Sequence, residues 1–556
     1  MDIKNLDDSL SVSGQLEIHH VGLLAQHGVK ALICNRPDDE GSGQANFAEI
    51  IQEAEKFGIA TAYLPVTQGP VSDEDSHAFG KLLTEMPKPV HAYCRSGTRS
   101  TTLWALHQGD QGVPLIKIAA KAKQAGYDMS GVAARIAEKD PSCPPTQYDI
   151  VIVGAGAAGI ATAASLRARD TELSIVLVDP ADVHYYQPGW TLVGAGVFTQ
   201  AKTAKTMASL IPEEVDWIKS AVTAFDPDHN MVILEGCRPL RYQRLVIACG
   251  LKLDWEAIPG LAETLGRNGV TSNYRFDLAP YTWKLVQELK GGRALFTQPP
   301  MPIKCAGAPQ KAMYLSADYW KKQGRLANID VEFYNAGAVL FGVADYVPAL
   351  MAYIEQYDAA LNFGYRLTAI DGDTRTAWFE HTSENGDTQT LTRKFDMIHV
   401  CPPQTAPDFI RASSLTDDAG WVDVDPHTLR HKHYANIWAL GDVSNSPNAK
   451  TAAAARKQAP VVANNILADT GLMSYRTAHY DGYGSCPLTV ERGKIVLAEF
   501  GYGGKLLPSM PWLINGKKPS RLAWILKEHL LPPIYWQGML KGREWLVSPT
   551  NYETED

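Results

Sequence analysis

Tyr148-Asp149-Ile150-Val151-Ile152-Val153-Gly154-Ala155-Gly156-Ala157-Ala158-Gly159 decides the fold. An unbroken apolar run of this length suits a parallel strand covered on both faces. The glycines that follow open a helical stretch, Ile160 to Arg169, and a second apolar strand, Ser174 to Val178, ends in Asp179, 20 residues past the last glycine. This order of strand, glycine turn, helix, strand and acid has a physical logic. Backbone amides at a helix N-terminus approach a pyrophosphate, and the acid accepts a hydrogen bond from a ribose hydroxyl. A dinucleotide site on a doubly wound α/β scaffold is therefore predicted.

A later run, Asn436-Ile437-Trp438-Ala439-Leu440-Gly441-Asp442, reads as a strand ending in Gly-Asp, and a helix starts near Lys450-Thr451-Ala452-Ala453. That arrangement resembles the second half of the FAD site in disulfide-reductase-like flavoproteins, which favours FAD over NAD. Those reductases carry a second glycine fingerprint mid-chain. Here the corresponding strand, Arg293 to Gln298, runs into Pro299-Pro300-Met301-Pro302-Ile303-Lys304-Cys305. Prolines have no amide hydrogen to offer a phosphate, so a nicotinamide donor is disfavoured and a sulfur donor is favoured.

Outward from this core, 556 residues exceed what one hydrophobic core supports, and the proline-rich stretch Glu138 to Gln147 marks a linker. The expected division is 1–138, a small α/β domain; 139–147, the linker; 148–480, the dinucleotide-binding oxidoreductase domain; and 481–556, a C-terminal segment. With 45% hydrophobic and 20% charged residues the composition is globular, and a net charge of -9 speaks against nucleic acid as a partner. Eight scattered cysteines form no disulfide framework and no zinc spacing, so individual thiols are expected and no metal. The first residues show no secretory pattern, and no apolar run reaches 18 residues, so a cytoplasmic chain without a spanning helix is expected.

Four separated motifs, in order, resemble the sulfide:quinone oxidoreductases of the mitochondrial type: His184-Tyr185-Tyr186-Gln187-Pro188-Gly189-Trp190, Lys304-Cys305-Ala306-Gly307-Ala308-Pro309-Gln310-Lys311, Gly441-Asp442 with Lys450-Thr451, and Tyr480 through Ser485-Cys486-Pro487. The resemblance covers roughly residues 148 to 545. It implies two Rossmann-like halves, a redox pair made of Cys305 and Cys486, and an FAD site lined by Gly154, Gly156, Ala157, Ala158, Gly159, Asp179, Gln187, Val222, Asp442, Lys450 and Ala453. It also implies that hydrosulfide opens a cystine bridge, that the electrons pass through FAD to a quinone, and that glutathione, sulfite or cyanide removes the sulfane sulfur. Where the family often has Gly-Asp-Cys, this chain has Val443. From the residues alone Cys401, in His399-Val400-Cys401-Pro402-Pro403, rivals Cys486 as the partner.

Two regions remain. From Pro511 onward Trp512, Trp524, Ile525, Leu530, Tyr535, Trp536, Met539 and Leu540 are interspersed with Lys527, Lys541 and Arg543. This mixture suits helices lying in a bilayer interface, peripheral on the inner face of a bacterial membrane and near a quinone entrance. The alternative is an oligomer contact or a helix that covers the core. Near the N-terminus, Tyr93-Cys94-Arg95-Ser96-Gly97-Thr98-Arg99 follows a strand and starts a helix. Loop amides, helix dipole and Arg99 converge there, an arrangement that makes Cys94 a nucleophile beside an anion site. The Cys–Arg spacing is one residue shorter than in cysteine phosphatases and similar to the rhodanese type, so sulfur transfer is favoured. Residues 1 to 110 as a whole resemble a phosphatase-like domain fused to bacterial sulfur-metabolism enzymes. Asp38, Asp73 and Asp75 are candidate general acids but read as turn or cap residues. The competing reading is a flavin-dependent disulfide reductase or NADH:quinone reductase carrying a cysteine phosphatase or a phosphate sensor.

Overall fold

The computed structural model describes residues 1–67, 69–139, 146–382, 387–471, 475–547 and 549–551. Most of the expected linker, residues 140–145, lies outside the described residues. The chain folds as two compact units, residues 1–148 with 220–242, and residues 149–219 with 243–556.

The first unit alternates strand and helix: β1 (Lys4–Asn5), β2 (Leu10–Ser13), α1 (Ile18–Gln26), β3 (Ala31–Cys34), α2 (Phe47–Lys56), β4 (Ala60–Tyr63), α3 (Asp73–Glu85), β5 (Val90–Tyr93) and α4 (Thr98–Asp110). Its sheet runs β1-β2-β5-β3-β4, parallel except for the β1 edge. β2, β3 and β5 are buried along their whole length, as short apolar strands sandwiched by helices must be. Helices α5 (Leu115–Gln124) and α6 (Ala133–Glu138) complete the same core with Trp104, Ile118 and Ile136. Residues 222–234 join this unit as a hairpin, an insertion that the sequence did not reveal, and its Met231 and Ile233 enter the core.

In the second unit the elements that position the site are, in chain order, β6 (Thr146–Val153), α7 (Ala157–Arg167), β7 (Ile175–Val178), β8 (Asp216–Ile218), β9 (Arg238–Ile247), β10 (Val270–Thr271), β11 (Gly292–Gln298), α8 (Ala308–Lys322), β12 (Ile329–Asn335), β13 (Ala360–Phe363), β14 (Met397–His399), β15 (Ile437–Ala439), α9 (Ala452–Asp469), β16 (Gly484–Glu491) and β17 (Lys494–Phe500). The helix after the glycines starts at Ala157 rather than Ile160, because Gly156 serves as its N-cap and the first turn absorbs the motif. One sheet orders β8-β7-β6-β9-β15, with β8 and β7, β7 and β6, and β9 and β15 paired in parallel, and a second, wholly parallel, orders β10-β14-β11-β12-β13. These two sheets are the paired α/β halves that the family resemblance implies. β16 and β17 form an antiparallel hairpin with Cys486 opposite Ala498. Among the described residues no helix is long and apolar enough to cross a membrane.

Candidate functional site

At the C-terminal ends of β6 and β15 a cavity of about 530 Å³ opens, the position where doubly wound sheets take ligands. Gly154 has φ +102, and a Cβ there would lie 2.6 Å from the Cys249 backbone, so only glycine fits between the strand ends. A Cβ on Gly159 would strike the Gly154 carbonyl oxygen at 1.8 Å, so this glycine lets α7 pack closely against the turn. Asp179 binds the loop directly, its Oδ2 accepting the Ala155 N–H at 2.8 Å. Of the expected dinucleotide residues, Gly154, Gly156, Ala157, Ala158, Asp179, Gln187, Asp442, Lys450 and Ala453 line the cavity. Gly159 lies behind the wall, and Val222 is buried in the 222–234 hairpin of the first unit rather than in the wall.

Lys450 and Gln187, like Asp179, are engaged within the chain. Lys450 donates to the Asp442 and Ser444 carbonyls at 2.8 and 2.7 Å and lies 4.2 Å over the Trp421 ring, which fixes the Gly441-Asp442 turn. Burial pushes its ammonium down to about 8. Gln187 accepts from Lys304 at 2.7 Å. Other polar groups have no hydrogen bond among the described residues: Trp190 Nε1, Thr191 Oγ1 and both amide atoms of Asn273 are buried in residues that line the cavity. Buried polar atoms are nearly always satisfied, so a polar ligand fits this wall.

Cys305, in the same wall, and Cys486, between the lining residues Ser485 and Pro487, bring their sulfurs to 3.9 Å across 181 residues of sequence. Cys305 sits at φ +51, unusual for a non-glycine residue, between a bond from its N–H to the Lys450 carbonyl and the start of α8. Lys311, one turn into that helix, donates to Cys305 Sγ at 3.1 Å. The bond from the Cys486 thiol holds Cys305 well below the ordinary thiol value, against desolvation, and the Lys311 charge adds to the effect. Cys486, donor of that bond and buried, is pushed up. One thiolate and one thiol are thus favoured side by side. Burial opposes charge on Lys311, yet the two sulfurs raise it above the usual lysine value. Lys527, buried on the helical run after residue 520, donates to the Pro487 carbonyl at 3.3 Å, and burial together with the Lys311 charge pushes it down to about 7. The rival Cys401 packs with Tyr274, Ile303 and Ala308, and burial raises its thiol to about 12.

From sequence, Lys311 has no role of its own, and Lys527 is placed at a membrane interface rather than beside the cysteines. The signal for Lys311 was a lysine six residues after Cys305 at the start of α8, and for Lys527 a basic residue three after Trp524 in an apolar run. The C-terminal aromatic segment divides by face. Trp524, Tyr535, Trp536, Met539 and Leu540 are buried, while Trp512 (81% exposed), Ile525, Leu530 and Leu546 face outward.

In the first unit Cys94 is buried, and its sulfur accepts the Gly97 N–H at 3.2 Å. Arg99 donates to the Val66 carbonyl at 3.0 Å and to Glu40 at 2.5 Å, and Glu40 also takes Arg36 at 2.8 Å. The acids considered for acid catalysis are all structural: Asp38 accepts the Phe47 N–H, Asp73 pairs with Arg135, and Asp75 closes the Ser72 capping box.

Comparison with known proteins matches these two halves separately. Residues 2–111 fit the phosphatase-like domain of the beta-lactamase hydrolase-like protein, and residues 148–286 fit the pyridine nucleotide-disulphide oxidoreductase family, whose fold implies FAD. The chain is 42% identical over 397 residues to the mitochondrial sulfide:quinone oxidoreductase of Dictyostelium discoideum, covering 71% of this chain and 86% of that one. With the mouse mitochondrial sulfide:quinone oxidoreductase it shares 38% identity over 399 residues, 71% of this chain and 87% of that one. The crystal structure of the Aquifex aeolicus sulfide:quinone oxidoreductase superposes with a TM-score of 0.59 at 19% identity, covering 72% and 92%, a likeness of fold. The chain belongs to the sulfide:quinone oxidoreductase family, with a phosphatase-like domain at its N-terminus.

Proposed function

We propose that the second unit oxidises sulfide at Cys305 and Cys486 with a quinone as electron acceptor, and that the first unit passes on the sulfane sulfur through Cys94. The observation that carries the first half is the 3.9 Å approach of the Cys486 sulfur to Cys305, which lines, beside the buried Lys311 ammonium, a cavity built on a glycine turn. FAD would be held by the Gly154–Ala158 turn, Asp179, Asp442, Ala453 and the unpartnered Trp190, Thr191 and Asn273 groups, and would supply a two-electron relay between sulfur and quinone.

The chain's own residues set the direction of the sulfur chemistry. Hydrosulfide attacking an oxidised Cys305–Cys486 bridge forms one sulfur–sulfur bond and breaks another. Lys311 makes Cys305 the better leaving thiolate, so the persulfide remains on Cys486. A thiol, sulfite or cyanide nucleophile then takes the outer sulfur and leaves a second thiol. Re-forming the bridge releases two electrons and the thiol protons, and Lys527, poised near neutrality, can accept one. Glutathione is the acceptor class that suits a relay through Cys94. The exposed Trp512, Ile525, Leu530 and Leu546 support contact with a membrane surface, where quinones dissolve.

Anaerobic sulfide should bleach the visible flavin band of the purified protein, and Cys305→Ala should abolish the bleaching; retained bleaching in that variant would remove Cys305 from the reaction. For the first unit, the match to a phosphatase-like domain favours a second reading, phosphoryl transfer at Cys94. Thiocyanate formed from thiosulfate and cyanide supports sulfur transfer, whereas phosphate released from an aryl phosphate, lost in Cys94→Ser, supports the second reading.

A further inference from the structure

Beyond the residues matched by the phosphatase-like family, the turn between α5 and α6 returns to the Cys94 loop. It brings the Tyr127 hydroxyl to the Ser96 carbonyl, a long hydrogen bond of 3.4 Å. The next residue of the loop, Gly97, lies directly beneath the phenol. A Cβ on Gly97 would come within 2.0 Å of the Tyr127 oxygen and 2.8 Å of the ring carbon that bears it. Gly97 also has φ +91 and gives its N–H to the Cys94 sulfur, so one residue touches both the thiol and the phenol. Cys94 itself is only 1% exposed. A thiol reacts only where a reagent can reach it, so what covers this sulfur decides what it meets. The phenol is near enough to Cys94 that, after burial, a negative charge on that sulfur is the next cause raising it above the ordinary tyrosine value.

We propose that Tyr127 is a specificity-determining residue that narrows access to Cys94, admitting an unbranched sulfane-sulfur donor whose terminal sulfur projects freely, such as thiosulfate or an alkyl persulfide, and turning away aryl phosphates. The inference rests on the reading of Cys94 as a sulfur-carrying nucleophile. In the transfer, the donor's terminal S–S bond breaks as the Cys94 thiolate forms a new S–S bond to that sulfur, and the donor's remaining sulfur leaves with the electron pair, as sulfite or a thiolate. The bulk of the ring, rather than the hydroxyl alone, sets the width.

The test is the size dependence of Cys94 alkylation in the full-length holoprotein, followed by mass spectrometry of the Cys94 peptide with iodoacetamide as the small reagent and an N-aryl maleimide as the large one. In Tyr127→Ala the ratio of small-reagent to large-reagent rate should fall at least about tenfold, while Tyr127→Phe, which keeps the ring, should stay within about twofold of the parent. A parallel rise of both rates in Tyr127→Ala would mean a loosened loop and would overturn the gate, as would an unchanged ratio. Cys94 inert to iodoacetamide in parent and variants alike would overturn the nucleophile reading together with the gate. In a second arm, Tyr127→Ala should gain hydrolysis or capture of an aryl substrate relative to thiosulfate; no gain, with the alkylation ratio unchanged, rejects the proposal.

Discussion

Cys305 and Cys94 both sit on a loop that joins a parallel strand to a helix N-terminus, yet their sulfurs are served by different means. The Cys94 sulfur takes a backbone N–H from Gly97, three residues on. The Cys305 sulfur takes an ammonium from Lys311 and meets a second sulfur contributed by β16. A backbone cradle made by contiguous residues stabilises whatever small anion lies in it. A side-chain cradle assembled from distant segments has a charge that can be deleted by one substitution. It also has a partner able to share a bond, which is what a two-electron step needs.

The largest expected effect is the loss of that partner. Cys486→Ser should lower sulfide-dependent quinone reduction by roughly 1,000-fold, because the serine oxygen cannot form the bridge that hydrosulfide opens. A decrease of less than about tenfold would mean that the two sulfurs do not act together. Cys94→Ser should abolish sulfur transfer from thiosulfate but still permit bleaching of the visible band by sulfide. Loss of bleaching there would end the separation of roles on which the comparison rests.

Next in size is the charge beside Cys305. In Lys311→Met the thiol loses the cation that, after the Cys486 bond, favours its ionised form. Removal raises the Cys305 thiol toward the ordinary range, so alkylation of Cys305 near pH 7 should slow by several-fold as the thiolate population falls. Raising the pH past the shifted value should restore the rate. A deficit that persists unchanged at high pH would assign Lys311 a packing role instead.

The same contrast explains what could be read in the sequence. The Cys94 loop and the Gly154 turn are built by neighbours in the chain, so spacing alone exposed their geometry, from the strand through the glycine to the helix start. Asp179 was legible for the same reason, since one βαβ unit brings it to the loop. The Cys305–Cys486 contact closes over 181 residues, and the local sequence left Cys401 an equal rival; only resemblance to a family pointed to Cys486. Arg99 shows the opposite failure. Its place in the motif was plain, but its guanidinium is bound by Glu40, from a loop whose sequence carries no sign of the pairing. The 222–234 hairpin was missed because its alternating strands read as a continuation of the surrounding domain. Buried Lys527 was hidden in a segment read as a membrane-facing surface, where lysines ordinarily lie at the water side.

Lys527 gives the smallest expected effect. Its ammonium is taken from water into the wall beside Lys311, which pushes it down to about 7 from an ordinary lysine value of 10.5. Between those values the unfolded chain binds a proton at this residue that the native protein does not, so stability from this site rises with pH across that window. Below about 7 both states are protonated and the full cost of the buried charge is present. Lys527→Met fills similar space without a charge. It should therefore raise the melting temperature most near pH 6, by about 3 °C, with the advantage over the parent shrinking as pH climbs toward 10. Scanning calorimetry of both proteins at pH 6, 8 and 9.5 measures this directly. An advantage that grows with pH, or a variant less stable at pH 6, would mean that Lys527 is held charged by the sulfurs of Cys305 and Cys486. The two thiols and two lysines would then form one ion cluster in the resting protein, and the proton-accepting role given to Lys527 would fall.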